Sequence, residues 1–177
     1  MSTVYTIGHS THPILEFIQI LRAFGIEQLV DVRTVPGSRH NPQFGKEALE
    51  QSLPECGILY SHMPELGGLR KSTKDSVNTA WRNASFRNFA DYMQSEGFAD
   101  GLQKLIEISE ERPTVIMCAE AVPWRCHRSL IGDALLVRGI KVIDIMSETS
   151  SKPHEMTSFA KVEGETITYP GDAPAHH

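Results

Sequence analysis

The stretch VYTIGHSTHPILEFIQILRAFGIEQLVDVR, residues 4–33, decides the fold. It predicts a strand over 4–10, a helix, and a second strand over 28–33, which together form a right-handed βαβ unit. Pro13 suits the first turn of the helix, and Gly25 suits its end. The helix is indicated by apolar residues at helical spacing, namely Ile14, Phe17, Ile18, Leu21 and Phe24.

The rest of the chain continues the alternation of strands and helices. We expect a helix over 46–57, a strand over 58–66, a loop over 67–84, helices over 85–111 with a break near Gly97, a strand over 114–118, a helix over 126–138 and a strand over 141–146. This order predicts a single three-layer α/β domain over residues 1–177, with a mainly parallel sheet of about five strands flanked by helices. Residues 148–177 are expected to form a C-terminal extension, with a small hairpin turning at Glu163-Gly164 and a frayed tail to which we assign no function.

Composition excludes several classes of protein. The chain has 177 residues, 40% of them hydrophobic and 22% charged, which is ordinary for a globular domain. No apolar run is long enough for a membrane span, and the first residues lack the pattern of a signal peptide. Three cysteines are too few for a disulfide scaffold. We therefore expect a cytoplasmic protein without a membrane partner.

Charge is distributed unevenly along the chain. The net charge is −5, which argues against loose binding of polyanions. Residues 66–90, however, carry five basic residues and one acid, Asp75. The basic residues of this segment are Arg70, Lys71, Lys74, Arg82 and Arg87. A basic patch on an acidic body indicates a defined anionic ligand.

Polar residues concentrate where the predicted strands end. In open parallel sheets, ligands bind outside the carboxyl ends of the strands. The residues placed there are Gly8, His9 and Ser10 after the first strand, Asp31 and Arg33 at the second, Gly67 and Gly68 after the third, and Cys118 and Glu120 at the fourth. The sequence therefore predicts a functional site at this edge.

Five motifs in this order resemble the bacterial and archaeal domain-of-unknown-function family four-eight-eight. They are TIGHS at 6–10, DVR at 31–33, the Pro-x-Ser/Arg stretch at 36–39, ELGG at 65–68, and CAE at 118–120 followed by CHR at 126–128. The resemblance extends to about Pro170. It implies a compact α/β domain with an active-site pocket, and no particular reaction.

Cys118 is the candidate nucleophile. A thiol between a strand and a helix N-terminus, near Arg125 and Arg128, is expected to have a lowered pKa and to form the reactive thiolate. Glu120 and His127 are candidates for acid–base catalysis. The alternative interpretation is that Cys118 is a small buried hydrophobic residue that ends a core strand.

The remaining candidates would bind an anionic substrate. Gly8, before His9, allows close approach to the backbone, and Ser10 or Thr11 is expected to leave an N–H group free at a helix N-terminus, which is an anion-binding arrangement. Charged or polar groups are expected from the strand ends and loops, and aromatic rings are expected to stack a base. The charged or polar residues are Asp31, Arg33, Ser38, Arg39, Arg70, Lys71, Lys74, Arg125 and Arg128, the loop glycines are Gly67 and Gly68, and the aromatic rings are Trp81, Phe86 and Trp124. For Lys71 and Lys74 the favoured interpretation is a solvated charge.

Three hypotheses follow from these residues. The first is an enzyme with a Cys118-centred pocket that acts on a phosphate-bearing or nucleotide-like substrate without a cofactor. The second is a non-catalytic binder of nucleic acid or nucleotide that uses the basic segment from Arg70 to Arg87. The third is a metal-binding or redox-sensing protein, for which the candidate ligands are His9, Cys118, Cys126 and His127.

Overall fold

The computed structural model describes residues 2–171 and contains a six-stranded sheet in the order β3-β2-β4-β1-β5-β6. Its strands are β1 (Thr3–Gly8), β2 (Gln28–Asp31), β3 (Leu59–His62), β4 (Thr114–Cys118), β5 (Lys141–Ser147) and β6 (Ser150–Pro153). The first five strands pair in parallel, and β6 pairs antiparallel with β5. A separate hairpin consists of β7 (Lys161–Glu163) and β8 (Thr166–Thr168).

Five α-helices connect the strands. They are α1 (Ile14–Ala23), α2 (Lys46–Glu55), α3 (Ala84–Tyr92), α4 (Glu96–Glu111) and α5 (Arg128–Val137). Three short 3₁₀ helices lie at Pro42–Phe44, Pro64–Leu66 and Pro123–Arg125. Within residues 2–171, the structure has no helix with the length and apolar character needed to cross a bilayer.

The helices cover both faces of the sheet. Strand side chains alternate between the two faces, so each central strand contributes to a core on either side. Leu29 and Val115 join the core under α1 and α2, whereas Val30 and Ile116 join the core under α4 and α5. The predicted α/β fold with a mainly parallel sheet is therefore confirmed.

The sheet has one strand more than the sequence indicated. The C-terminal extension over 148–177 was expected to contain only a small hairpin, but Ser150–Pro153 form the edge strand β6. All four residues of β6 are exposed, so the strand lacks the apolar alternation that marks a half-buried strand. Pro153 is tolerated there because an edge strand need not donate every N–H. The hairpin of β7 and β8 turns at Gly164-Glu165, one position beyond the expected turn, and Gly164 has the positive φ of 64° that this turn requires.

The predicted loop before α3 contains no helix or strand between residues 67 and 83, but it is held in place by side-chain hydrogen bonds. Its anchor is Asn78, which is fully buried. The Asn78 amide donates to Asp91 at 2.7 Å and its oxygen accepts from Tyr169 N at 2.8 Å. The loop is thereby tied to α3 and to the segment that follows the hairpin.

A polar cluster joins the end of β6 to α5 and β5. The His154 ring lies between Asp133 Oδ1 at 2.9 Å and Asp144 Oδ2 at 3.1 Å. Tyr169 donates to Asp133 at 2.8 Å, and Thr6 donates to Asp144 at 2.6 Å. Burial lowers the pKa of His154, but the two carboxylates outweigh it and raise the pKa to about 9. The cluster is therefore a buried ionic network with a positive charge between two negative ones.

Candidate active site

The candidate site begins where β1 and β4 end side by side. The chain leaves β1 through α1 on one face of the sheet and leaves β4 through α5 on the other. Neighbouring strands whose connections diverge in this way open a crevice at their carboxyl ends. Gly8 pairs with Cys118 at this point. A Cβ on Gly8 would overlap the carbonyl of Glu120, so only glycine allows this close approach.

Cys118 is held against a buried guanidinium group. Arg128 Nη1 donates to Cys118 Sγ at 2.9 Å and to the carbonyl of Glu120 at 2.6 Å. Arg128 is fully buried, and Cys118 is 2% exposed. Burial raises the pKa of Cys118, but a hydrogen bond from Cys126 and the charge of Arg128 outweigh it and lower the pKa to about 7. A substantial fraction of Cys118 is therefore thiolate at neutral pH.

Cys126 and His127 complete the surroundings of the sulfur. His127 Nε2 lies 2.9 Å from Val32 O and 3.0 Å from Leu66 O, so it carries the hydrogen and donates to both carbonyls. Burial lowers the pKa of His127 to about 4, which keeps the ring neutral. Its Nδ1 atom is therefore a bare acceptor, 3.5 Å from Cys126 Sγ. Burial and the neighbouring Cys118 raise the pKa of Cys126 well above its ordinary value.

Arg33 is fixed at the end of β2 by four contacts. Asp31 accepts from Nε at 2.9 Å and from Nη2 at 2.7 Å. Nη2 also donates to Phe44 O at 2.7 Å, and Nη1 lies 3.4 Å from His9 Nε2. Tyr60 donates to Asp31 at 2.6 Å and holds that carboxylate. A guanidinium group has five N–H donors, so one N–H on Nη1 has no partner among the described residues.

These groups border a cavity of about 320 Å³. Its walls come from the carboxyl ends of β2 and β4, from the loops after β2 and β3, and from α3 and the turn before α5. The lining residues are Arg33, Thr34, Val35, Gly37, Gly68, Leu69, Ser85, Phe86, Cys118, Ala119, Glu120, Arg125, Cys126 and His127.

Most residues predicted for the site lie in or behind this cavity. Arg33, Gly68, Cys118, Glu120, Arg125 and His127 line it, and Cys126 of the metal alternative lines it with them. The structure places Gly8, His9, Asp31, Gly67 and Arg128 behind the lining, where they position its side chains. Gly68 must be glycine, because a Cβ there would lie 2.7 Å from His127 Nδ1.

The prediction of a free N–H group at Ser10 is wrong. Ser10 N donates to Ala119 O at 3.0 Å and His9 N donates to Cys118 O at 2.9 Å, so neither N–H is free. The His9 ring is 2% exposed and stacks on Phe44, with ring centroids 4.3 Å apart. The backbone at His9 and Ser10 therefore extends the pairing of β1 with β4. His9 supports Arg33, and Ser10 lies outside the cavity lining.

Ser38 and Arg39 were also expected at the site, and neither lines the cavity. Ser38 accepts from Asn41 N at 3.0 Å, which stabilises a turn, and Arg39 is exposed. Val35 and Leu69 were not predicted, and both line the cavity. Leu69 directly follows Gly68 and Val35 lies two positions after Arg33, so the signal was position in the loops and not residue type.

Among the described residues, the candidate metal ligands do not form a ligand cluster. Within the part of the chain that the structure describes, no group of three or more His, Cys, Asp or Glu side chains has the geometry to hold a metal ion. His9 contacts Arg33, whereas Cys118 and Cys126 contact Arg128. His9 is thus held by Arg33, whereas Cys118, Cys126 and His127 lie together without the geometry of a metal site.

The basic segment is divided between structural and exposed cations. Arg70 stacks on Tyr92, with its guanidinium carbon 3.6 Å from the ring centroid, and donates to Pro64 O and Gly67 O. Lys71, Lys74 and Arg82 are exposed. Among the aromatic candidates, Phe86 lines the cavity. The Trp81 ring packs edge-on against the Phe86 ring, with ring centroids 5.0 Å apart. The side chain of Trp124 and the residues His176 and His177 lie outside the described residues.

Fold and site together define a class: a three-layer α/β protein with a buried, arginine-paired cysteine in a cavity at the carboxyl edge of its parallel sheet. Within that class the chain belongs to the family described as domain of unknown function DUF488, which matches residues 13–135. This confirms the family resemblance, over a shorter range than the motifs suggested. No curated protein and no solved structure shows significant similarity to the chain.

Proposed function

We propose that the protein is a thiol-dependent enzyme in which Cys118 attacks an electrophilic centre of a small anionic substrate, such as a phosphate-bearing or nucleotide-like compound. The observation that carries this proposal is the 2.9 Å contact between Arg128 Nη1 and Cys118 Sγ at the wall of the cavity. An unpaired buried sulfur would be an inert hydrophobic group, whereas a sulfur beside a fixed cation is stabilised as a nucleophile.

The charge of the cavity supports an anionic substrate. Arg33 and Arg125 line it, and Glu120 is the one carboxylate among its lining residues. Arg125 is exposed and is free to pair with a ligand. Arg33 keeps one N–H without a partner in the described part of the chain, and its remaining contacts hold the group rigid. A guanidinium group prepared in this way binds phosphate or carboxylate oxygens without losing much conformational entropy.

The apolar wall supports a substrate that also has an uncharged body. Val35 is 69% exposed and Leu69 is 67% exposed at the cavity, beside the ring of Phe86. Exposed apolar side chains around a pocket mark a binding surface. A planar ring against this wall would leave the anionic group of the same molecule near Arg125.

The chemical step forms one bond and breaks one. The Cys118 sulfur donates an electron pair to the electrophilic phosphorus or carbon, and the leaving group departs with the electrons of its own bond. Water then attacks the covalent intermediate and restores the thiolate, and the Glu120 carboxylate accepts the proton of that water.

Alkylation rates test the proposal before any substrate is known. In a Cys56→Ser background, the alkylation of Cys118 is expected to have a pH midpoint near 7. We compare the alkylation rate with iodoacetate to the rate with iodoacetamide. This ratio is expected to be about tenfold higher in the folded protein than in the urea-unfolded protein, because cations at the cavity attract the carboxylate reagent. Arg125→Gln should remove most of this preference. Rates are measured by mass spectrometry of the peptide that contains Cys118.

The matched control is Arg82→Gln, which removes an exposed cation that does not line the cavity and should leave the ratio unchanged. A midpoint near 8.5, the ordinary value for a thiol, would refute the nucleophile. Phosphorylated compounds and nucleotides are then screened for turnover that Cys118→Ser abolishes. Salt-dependent nucleotide binding that survives in Cys118→Ser, with no turnover in the parent, would instead establish the non-catalytic binder.

We also propose the cytoplasm as the location of the protein. The three cysteines, Cys56, Cys118 and Cys126, are all free thiols, and a reducing compartment preserves them in that state.

A further inference from the structure

Two thiols, and not one, face the candidate active site. Cys118 and Cys126 are eight positions apart in the chain, and both line the cavity. Arg128 contacts both sulfurs, Cys118 Sγ through Nη1 at 2.9 Å and Cys126 Sγ through its backbone N at 3.4 Å, and a hydrogen bond from the Cys126 thiol contributes to the lowered pKa of Cys118. The proposed function uses Cys118 as its nucleophile and assigns no role to Cys126.

Cys126 is held at the cavity by contacts of its own. Arg128 N donates to Cys126 Sγ at 3.4 Å, and His127 Nδ1 lies 3.5 Å from the same sulfur. The Cys126 hydrogen therefore has two possible acceptors, the Cys118 sulfur and the bare His127 nitrogen. The His127 ring cannot turn away freely, because its Nε2–H is bound to two backbone carbonyls.

We infer that Cys126 is the resolving thiol of Cys118, and that the two residues form a reversible disulfide when a small hydroperoxide oxidises Cys118. The inference shares the Cys118 thiolate with the proposed function and gives that site a means of regulation. It needs no turnover of the unidentified substrate. Cys118 is 2% exposed and Cys126 is 6% exposed, which restricts the oxidant to a small molecule such as hydrogen peroxide.

The oxidation balances in two steps. The Cys118 thiolate attacks the terminal oxygen of the hydroperoxide, the O–O bond breaks, and the alkoxide takes a proton from solvent, which leaves Cys118 as sulfenic acid. Cys126 sulfur then attacks Cys118 sulfur and the S–O bond breaks. The hydroxide leaves as water with the proton of Cys126. One hydroperoxide is reduced by two electrons, and two thiols become one disulfide.

The charge change at Cys118 makes the second step favourable. The Cys118 thiolate is one reason that Cys126 holds its proton, and the sulfenic acid no longer carries that charge. The Cys126 hydrogen can then turn to His127 Nδ1, while the buried Arg128 cation continues to favour a thiolate at Cys126. Burial disfavours a protonated His127, so the proton passes on to the departing hydroxide.

The test compares the Cys56→Ser protein with a second variant that also carries Cys126→Ser. After hydrogen peroxide treatment at pH 7, the first should lose two hydrogens in mass and yield a Cys118–Cys126 linked peptide, and dithiothreitol should restore its alkylatable thiol. The second should form a sulfenic acid that dimedone traps, and then irreversible acids. Reducible recovery of Cys118 should be at least about tenfold greater in the first protein.

Dimedone trapping at equal levels in both proteins, with no linked peptide, would overturn the inference. An alkylation midpoint near 7 in the same sample would leave the proposed nucleophile intact, so the two failures are distinguishable. Cys126→Ala repeats the comparison with an apolar side chain in case serine is not tolerated at this buried position. Thermal unfolding of each variant confirms that the fold is retained.

Discussion

Replacing Arg128 by methionine is expected to slow the alkylation of Cys118 at pH 7 by at least about 15-fold. The pKa of Cys118 is near 7, so about half of the residue is thiolate at that pH. Without the guanidinium group, burial would outweigh the remaining hydrogen bond from Cys126 and return the pKa to the ordinary thiol value of about 8.5, where about 3% is thiolate at pH 7. The pH–rate profile of alkylation in a Cys56→Ser background measures the change.

Arg125→Met is the matched control, since Arg125 is an exposed cation at the same cavity, and it should change the rate with the uncharged reagent iodoacetamide by less than about threefold. Arg128→Met also leaves the carbonyls of Glu120 and Ala121 without their donor, so thermal unfolding is recorded with each profile. If the methionine variant does not fold, Arg128→Lys keeps the positive charge but lacks the planar fork of guanidinium N–H donors. Its alkylation rate should have a pH midpoint between 7 and 8.5. A midpoint that stays near 7 in the methionine variant would show that Arg128 does not stabilise the thiolate.

Replacing His154 by glutamine is expected to destabilise the fold by about 3 kcal/mol at pH 6, because it leaves two buried carboxylates without their cation. Asp133 is fully buried and Asp144 is 3% exposed. The folded-state pKa of His154 is about 9, above the unfolded value of 6.5. The stabilisation is therefore fully present below pH 6.5 and is lost as the pH rises through 9. The difference in unfolding free energy between parent and variant should narrow over that window.

Urea denaturation at pH 6, 7.5 and 9 measures this difference. Comparing parent with variant is necessary because Cys118 also makes the stability depend on pH. Its pKa is lowered to about 7, so its contribution increases with pH over part of the range in which the contribution of His154 decreases. His40→Gln is the control, since His40 is an exposed histidine, and its stability should follow the parent at every pH. A difference between His154→Gln and the parent that does not change with pH would contradict a charged His154 in the folded protein.

The strands and the edge that holds the site were predictable because they depend on local patterns. Apolar runs that end in Asp31-Val32-Arg33 or Cys118-Ala119-Glu120 are strands whose polar ends must share one edge of a parallel sheet. That reasoning placed Arg33, Cys118 and Glu120 together. It failed for β6, because an exposed edge strand carries no apolar pattern, and for Ser10, because its N–H binds Ala119 at the end of a neighbouring strand.

The sequence by itself determined the α/β class, the mainly parallel sheet, the family resemblance and the set of residues from which the site is built. Only the tertiary structure decided what each of them contacts. Sequence reasoning named Arg125 and Arg128 equally as partners of Cys118, yet Arg128 lies buried against the sulfur and Arg125 is exposed. Likewise His127 became a neutral, backbone-bound ring beside Cys126. Hydrophobic periodicity is local in the chain, whereas burial, charge pairing and the resulting pKa values depend on residues that meet only after β1, β2 and β4 are side by side.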